Sequence, residues 1–247
     1  MTSSPTTTRP ATPLVAPPAT PSGTDATAGS ADQLRAHGQS GLLGALGGVA
    51  LAMSSLLFVA GAATSPPQDD GSAGAYIESL GADPFLTGLS ANLFHYSWVL
   101  ATFGAIAAIG LVRGRRGRVL TVLGGLCAAF GSIQFTGLLY SDWVLAALDH
   151  QLPAATAVSV FEEVTAAPSV VVWLLSAKVF ALLGFPVLYA GLARAGVITW
   201  WLVPLSLLPM IAFGVVGGPL GLALAVLCYA PSYVVGWRLV QRNRVRS

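Results

Sequence analysis

A chain of 247 residues in which 54% are hydrophobic and only 9% are charged cannot cover its own surface with polar groups. Ordinary soluble domains carry about 25% charged residues, so the composition excludes a soluble globular protein and indicates that lipid solvates most of the surface. The net charge of +2 points to no particular partner, and no segment resembles a basic nucleic-acid arm, so no nucleic-acid partner is expected.

Residues 1–40 are rich in Thr, Pro, Ala and Ser, contain six prolines and show no apolar periodicity. Such a segment cannot bury enough apolar surface to offset the entropy lost on ordering. We therefore predict a disordered cytoplasmic tail over residues 1–40.

Six apolar segments follow, each near the length of about 20 residues that crosses a bilayer core as a helix. A backbone in lipid must satisfy its own hydrogen bonds, and these segments do not alternate as membrane-barrel strands do. The fold class predicted is all-α: a polytopic membrane protein with a bundle of six transmembrane helices. The predicted spans are 41–63, 93–112, 119–140, 169–193, 198–216 and 219–237, followed by a basic cytoplasmic tail at 238–247.

Charge alternates between the connections. The connection at 113–118 carries four arginines and the tail at 238–247 four more, whereas 64–92 and 141–168 each carry four carboxylates and no Lys or Arg. Because basic connections stay on the cytoplasmic side, six spans place both termini in the cytoplasm. The Ala, Gly, Val and Leu content and the preference for Arg over Lys favour a bacterial protein, so the predicted location is the bacterial inner membrane.

A signal peptide is the alternative for the first span. Residues 49–60 resemble the apolar core of such a peptide, and the small residues at 61–63 resemble its cleavage site. Cleavage there would leave five spans and place the new amino terminus outside.

Small residues and prolines predict how the spans pack. Small residues recur at four-residue spacing, as close helix contacts in lipid require, at Gly44, Gly48 and Ala52, at Gly124, Ala128 and Ser132, and at Gly217, Gly221 and Ala225. Prolines concentrate in the last three spans, at 186, 204, 209 and 231, where each removes a backbone donor. We expect internal packing from the first set and bends from the second, without a strongly broken pair of helices. Short surface helices are predicted at 75–80 and 154–164.

Several polar residues on different predicted helices lie at a similar depth in the membrane. Counted from the arginine-marked ends at about 1.5 Å per residue, His95, Gln134 and Lys178 lie about 22–26 Å from the inner boundary of a core about 30 Å thick. Asp142 follows about two turns after Gln134, and Asn92 precedes His95 by three residues. We predict an outward-facing ligand pocket at this level, lined by Lys178, His95, Gln134, Asp142 and Asn92.

Lys178 is the only lysine, and an ionisable group at the centre of a span costs roughly 2.5–3.5 kcal/mol. Pairing with Asp142, Glu162 or Glu163 would offset that cost and form a site. The alternative is that the side chain extends along its aliphatic stem to the membrane surface and makes one structural ion pair.

The sequence lacks the motifs that several kinds of chemistry require. Cys127 and Cys228 lie in apolar runs without C-x-x-C or histidine spacing, so neither a disulfide nor a metal site is predicted. The chain also lacks a phosphate-binding loop and a dinucleotide fingerprint. We therefore predict no cofactor, assign no catalytic residue and do not favour an enzyme.

Three functions remain open. The favoured hypothesis is a protein that binds or transports a small lipophilic or anionic solute in the outward-facing pocket. The second is a non-catalytic accessory or scaffold subunit, whose small-residue faces and acidic connections hold a membrane partner protein or a second copy. The third is an intramembrane enzyme acting on lipid or isoprenoid substrates, with His95 or Glu163 as acid or base.

Overall fold

The computed structural model describes residues 23–211, 216 and 218–244, with side chains between 41 and 242 apart from 210–215 and 217. The chain divides into two units, Met1–Gly38 and Gln39–Ser247. In the first unit the described backbone, at residues 23–38, is helical. Of the predicted disordered tail, residues 1–22 lie outside the described residues, whereas the helix that includes the first span already begins at Gly23.

Every regular element in the described part of the chain is a helix. In chain order these are α1 Gly23–Thr64, α2 Ala73–Ala82, α3 Pro84–Ile109, α4 Arg118–Leu138, α5 Tyr140–Gln151, α6 Ala154–Ala166, α7 Pro168–Arg194, α8 Leu202–Leu205, α9 Leu208–Ile211, α10 Gly218–Cys228 and α11 Ala230–Arg244. Five stretches of the described residues are long and apolar enough to cross a membrane, namely Gly41–Thr64, Pro84–Ile109, Arg118–Gln151, Pro168–Arg194 and Gly218–Arg242. The chain is thus an all-helical protein with the apolar helices of a membrane protein.

The predicted span at 198–216 is not one continuous helix in its described part. It contains the single-turn helices α8 and α9, separated by a turn at residues 206 and 207. Pro204 and Pro209 supply no backbone N–H, so each removes one hydrogen bond from the α-helical ladder. The turn is held instead by three-residue hydrogen bonds, such as that from Ser206 N to Val203 O at 3.2 Å. Residues 212–215 lie outside the described part, and the count of six spanning helices stays a prediction.

The last predicted span, 219–237, is also interrupted. Helix α10 ends at Cys228 and α11 begins at Ala230, because Pro231 cannot donate a hydrogen bond to the preceding turn. The interruption is one residue long, and the two helices together still form the candidate span Gly218–Arg242, whereas α7 continues through Pro186. Helix α8 packs on α11 and α9 on α10, so this part of the chain forms an antiparallel hairpin of broken helices.

The closest helix contact joins α4 to α7. Glycines on both helices let the two backbones touch, and the glycine of each contact lies alternately on α7 and on α4. The contacting pairs are Thr121 with Gly191, Gly124 with Leu188, Ala128 with Gly184 and Gly131 with Ala181. Steps of three and four residues along both helices in opposite directions fix an antiparallel register. Gly117, with φ of +76°, begins this contact against the carbonyl of Gly191, where a side chain would be both strained and obstructed.

Basic and acidic segments lie at opposite ends of the bundle. At one end the Arg242 guanidinium donates to the carbonyl of Gly110, and Gly117 packs against Gly191 and Ala195. At the other end α2, α5 and α6 share an apolar cluster formed by Ile77, Leu80, Leu145, Ala146 and Ala157. The short helices predicted at 75–80 and 154–164 are present within α2 and α6. We call these the basic end and the acidic end.

Candidate functional site

An open cavity of about 720 Å³ lies at the acidic end, among α2, α3, α4, α5, α6 and α7. We call it the acidic-end cavity. Its walls are mainly apolar and aromatic, with Phe94, Phe135 and Trp173 among them, and its ionisable lining residues are Tyr76, Tyr140, Asp142 and Lys178. The structure therefore brings two of the five predicted site residues, Asp142 and Lys178, to one cavity.

Asp142 is held by a tyrosine from another helix. The Tyr76 hydroxyl donates to Asp142 Oδ1 at 2.7 Å, and its ring packs against Phe161 with the centroids 6.1 Å apart. Burial and the neighbouring carboxylate raise the pKa of Tyr76 above its ordinary value. The hydroxyl thus keeps its proton and can donate it to Asp142 throughout the physiological pH range.

Lys178 extends from the middle of α7 into this cavity and is exposed. The ion pair considered from the sequence, with Asp142, Glu162 or Glu163, is not formed among the described side chains. Asp142 instead bonds to Tyr76, while Glu162 and Glu163 are exposed on α6. Lys178 therefore brings an unpaired positive charge to a cavity with mainly apolar walls.

Gln134 lies level with Lys178, as the depth count predicted. Continuing the α4–α7 register one step beyond Gly131 and Ala181 brings Gln134 opposite Lys178. Its amide donates to Ser176 Oγ on α7 at 3.2 Å. Gln134 thus joins the two helices beside the cavity and does not line it.

His95 and Asn92 point away from the acidic-end cavity. His95 is half-buried, and its ring meets that of Tyr96 edge to face at 5.3 Å. Asn92 is exposed and donates to the carbonyl of Gly88 on its own helix at 2.7 Å. Neither lines the acidic-end cavity, and neither does Glu163.

A smaller cavity of about 80 Å³, which we call the central cavity, lies where the broken helices meet α1, α3 and α7. The α8–α9 break contributes Ser206 and Pro209, and the α10–α11 break contributes Tyr229 and Pro231. Irregular backbone at membrane depth is tolerated where it lines a cavity or is buried in protein. None of the residues lining the central cavity is charged.

One aromatic pair stands at the boundary of the two cavities. Phe135 lines both, and its ring stacks on that of Trp98 with the centroids 4.7 Å apart and the planes 10° from parallel. Beyond this pair, the Tyr189 and Ser232 hydroxyls are hydrogen bonded at 2.8 Å, which joins α7 to α11. The acidic-end cavity therefore borders a second, uncharged compartment.

The sequence reasoning missed the hydroxyl residues. Tyr76, Ser97, Tyr189 and Ser232 each form a hydrogen bond to another helix, but a single hydroxyl in an apolar run carries little pattern. The proximity of Ser232 to Pro231 was the available signal, because a proline that disrupts a helix leaves space for polar groups.

The ionisable side chains of the site are few. In the described part of the chain, no three His, Cys, Asp or Glu side chains cluster as ligands for a metal would. The acidic-end cavity offers one unpaired cation, Lys178, and one carboxylate already bonded to Tyr76. Comparison with protein-family models, with curated proteins and with solved structures gives no match to this chain.

Proposed function

We propose that this protein is a multi-pass protein of a bacterial inner membrane that binds a small amphiphilic anion in the acidic-end cavity. The observation that carries the proposal is Lys178, an unpaired cation in a cavity with mainly apolar walls. The acid group of the ligand would pair with the Lys178 ammonium, and its apolar part would contact the aromatic walls.

The composition of the cavity favours a ligand with a single charge. Lys178 is the one Lys or Arg among the lining residues, so the cavity can pair with one anionic group. A second anionic group on the ligand would lie near the Asp142 carboxyl without a cation to pair with. Apolar and aromatic walls desolvate a ligand and reward apolar surface at about 25 cal/mol per Å² buried. A monocarboxylic acid with a hydrocarbon body satisfies both conditions.

The separation of charge along the bundle supports the proposed orientation. The arginine-bearing ends of α3, α4, α7 and α11 meet at the basic end, whereas α2, α5 and α6 form the acidic end. With the basic end in the cytoplasm, the cavity opens toward the outer face and both termini are cytoplasmic. Because α8 and α9 lead away from the basic end and α10 and α11 lead back to it, Arg242 of α11 lies at the basic end beside Gly110. This arrangement is the one that six crossings would give.

The two other hypotheses lose their main supports. The small-residue face proposed to hold a partner is used within the bundle, where Gly48 packs against Gly236 and Gly124 against Leu188. The acid and base proposed for an enzyme, His95 and Glu163, lie outside the cavity. Neither hypothesis gains a specific observation from the structure.

Ligand binding by Lys178 variants tests the proposal. The purified full chain in mild detergent would be titrated with a fluorescent long-chain fatty acid and, separately, with its uncharged methyl ester. We expect saturable binding of the acid, at least about tenfold stronger than that of the ester, because a desolvated charge pair contributes 1.4 kcal/mol or more. Lys178→Met would abolish the difference and Lys178→Arg would retain it.

His95→Gln is the matched control, because it changes a polar side chain at the same depth outside the cavity. Its binding should equal that of the wild-type chain. A folded Lys178→Met variant that still prefers the acid would refute the proposal. If thermal unfolding shows that Lys178→Met is misfolded, Trp173→Ala would be tested in its place. This variant enlarges the cavity and should weaken the binding of both the acid and the ester.

Passage beyond the cavity would require the Phe135–Trp98 stack to separate. Flux of the same fatty acid across vesicles containing the protein would measure this step. Phe135→Ala should increase the flux if the stack is the barrier, and an absence of flux in both forms would restrict the function to binding.

A further inference from the structure

A second long groove runs down to the basic end. It has a volume of about 930 Å³ and lies between α1, α3 and α11. Its walls are large apolar side chains that are well exposed, including Leu46, Val49, Phe103 and Ile106 at 51–59%. We call it the basic-end groove.

The groove opens because α1 diverges from its neighbours. At Gly47 and Gly48, α1 touches Ala107 of α3 and Gly236 of α11, so an added Cβ would collide at either position. One turn nearer the basic end, a Cβ added to Gly44 would have nothing within 4 Å. The space beside Gly44 is thus created by helix geometry and the missing side chain.

The groove has the length of one lipid chain. Its lining extends along α1 from Gly41 to Met53 and along α3 from Leu100 to Gly110. At about 1.5 Å per residue these stretches span about 15–18 Å. One leaflet contributes about 15 Å to a hydrocarbon core about 30 Å thick.

Positive charge is concentrated at one end of the groove. Arg113 and Arg242 line that end, and none of the lining residues is acidic. Arg242 uses one Nη1–H group to bond the Gly110 carbonyl, which fixes the side chain and leaves four of its five N–H donors for a ligand. Arg113 is exposed and has no described carboxylate as an ion-pair partner.

We infer that the basic-end groove is a binding site for one phospholipid with an anionic headgroup. Its phosphate bonds to Arg113 and Arg242, and an acyl chain lies along α1 and α3 toward Met53. Basic pockets between transmembrane helices bind such headgroups through charge-assisted hydrogen bonds. This inference does not depend on Lys178 or on the acidic-end cavity.

Lipid binding by the purified full chain tests the inference. The chain in mild detergent would be titrated with phosphatidylglycerol and with phosphatidylcholine of identical acyl chains, and native mass spectrometry would count the lipids bound. We expect one tightly retained phosphatidylglycerol with a preference of about tenfold or more, since each basic residue near a membrane surface adds about 1 kcal/mol of attraction.

Two kinds of variant separate charge from shape. The Arg113→Gln/Arg242→Gln double variant should lose the preference but retain weak binding of both lipids. Gly44→Phe leaves the arginines in place and fills the groove, so it should reduce the binding of both lipids. Arg115→Gln/Arg116→Gln is the control, because it removes two exposed charges from the same connection outside the groove, and its preference should be unchanged.

Three results would overturn the inference. The first is an equal loss of preference in the double variant and in its control, which would indicate a diffuse basic surface. The second is a lipid-free dimer that Gly44→Phe dissociates, which would assign the groove to a second copy of the chain. The third, which applies even if the double arginine variant did not fold, is unchanged lipid binding by folded Gly44→Phe.

Discussion

The α4–α7 pair and the α8–α11 hairpin are built from similarly apolar sequence yet pack in opposite ways. Between α4 and α7, glycines bring the two backbones into direct contact over four successive steps. In the hairpin, prolines interrupt both arms, between α8 and α9 and between α10 and α11, and residues at these interruptions line the central cavity. Composition alone does not distinguish the two regions, whereas the placement of glycine and proline does.

The difference shows how a membrane bundle can be rigid on one side and hollow on the other. Without a hydrophobic force between helices in lipid, close packing depends on backbones that can approach each other. Where prolines remove backbone donors, neighbouring helices must supply partners or enclose a cavity. Here the rigid pair carries Lys178, and the broken hairpin provides the compartment next to it.

The largest expected effect comes from adding one methyl group to the rigid pair. A Cβ at Gly124 would overlap the backbone of Leu188, so Gly124→Ala should separate α4 from α7 and destabilise the fold by about 1–3 kcal/mol. Denaturation in sodium dodecyl sulfate, followed by circular dichroism, measures this change. Gly44→Ala is the matched control, because its added methyl group meets nothing within 4 Å, and it should cause no loss. Equal destabilisation by both would show that the contact is not tight.

A smaller effect is expected where the rigid pair joins the hairpin. Tyr189→Phe removes the hydroxyl that bonds to Ser232 at 2.8 Å, and interhelical hydrogen bonds in membranes contribute about 0.6 kcal/mol on average. The same unfolding measurement should detect this loss. Tyr96→Phe, at a side chain that is 57% exposed, should leave stability unchanged. A loss at Tyr96 as large as that at Tyr189 would argue against a specific bond between α7 and α11.

The smallest effect is expected in the hairpin itself. Cys228 lines the central cavity, so Cys228→Met adds volume where space is open and should change stability by less than about 0.5 kcal/mol. The contrast with Gly124→Ala is the result of interest. A cost above about 1 kcal/mol would mean that the hairpin is packed as tightly as α4 and α7.

Hydropathy and charge predicted the helical class and most of the helix positions, because a long apolar run in lipid has few alternatives to a helix. The boundaries shifted where capping residues act outside the apolar run. Helix α3 begins at Pro84, not at residue 93, because Asp83 accepts a hydrogen bond from Leu86 N and Pro84 favours a first helical position. The prolines of 198–216 were seen in the sequence, but the number of turns lost at each depends on neighbouring helices.

The sequence placed two of the candidate site residues opposite each other but did not predict the direction of the others. Counting residues placed Gln134 level with Lys178, and the helix register agrees. Counting cannot fix the rotation of a helix about its axis, which is why His95 faces Tyr96 outside the cavity. Tyr76 was missed because its role depends on the packing of α2 against α5, a contact between two connections that no periodicity reveals.

The central claim is that Lys178 is an unpaired cation in a cavity open to the outer face. Because Lys178 is the only lysine, a membrane-impermeant amine reagent can modify one side chain, and peptide mass spectrometry distinguishes it from the amino terminus. Applied to intact spheroplasts, the reagent should modify Lys178, and a long-chain fatty acid should slow the reaction whereas its methyl ester should not. Modification only in inverted vesicles, or equal rates with and without the acid, would contradict the account.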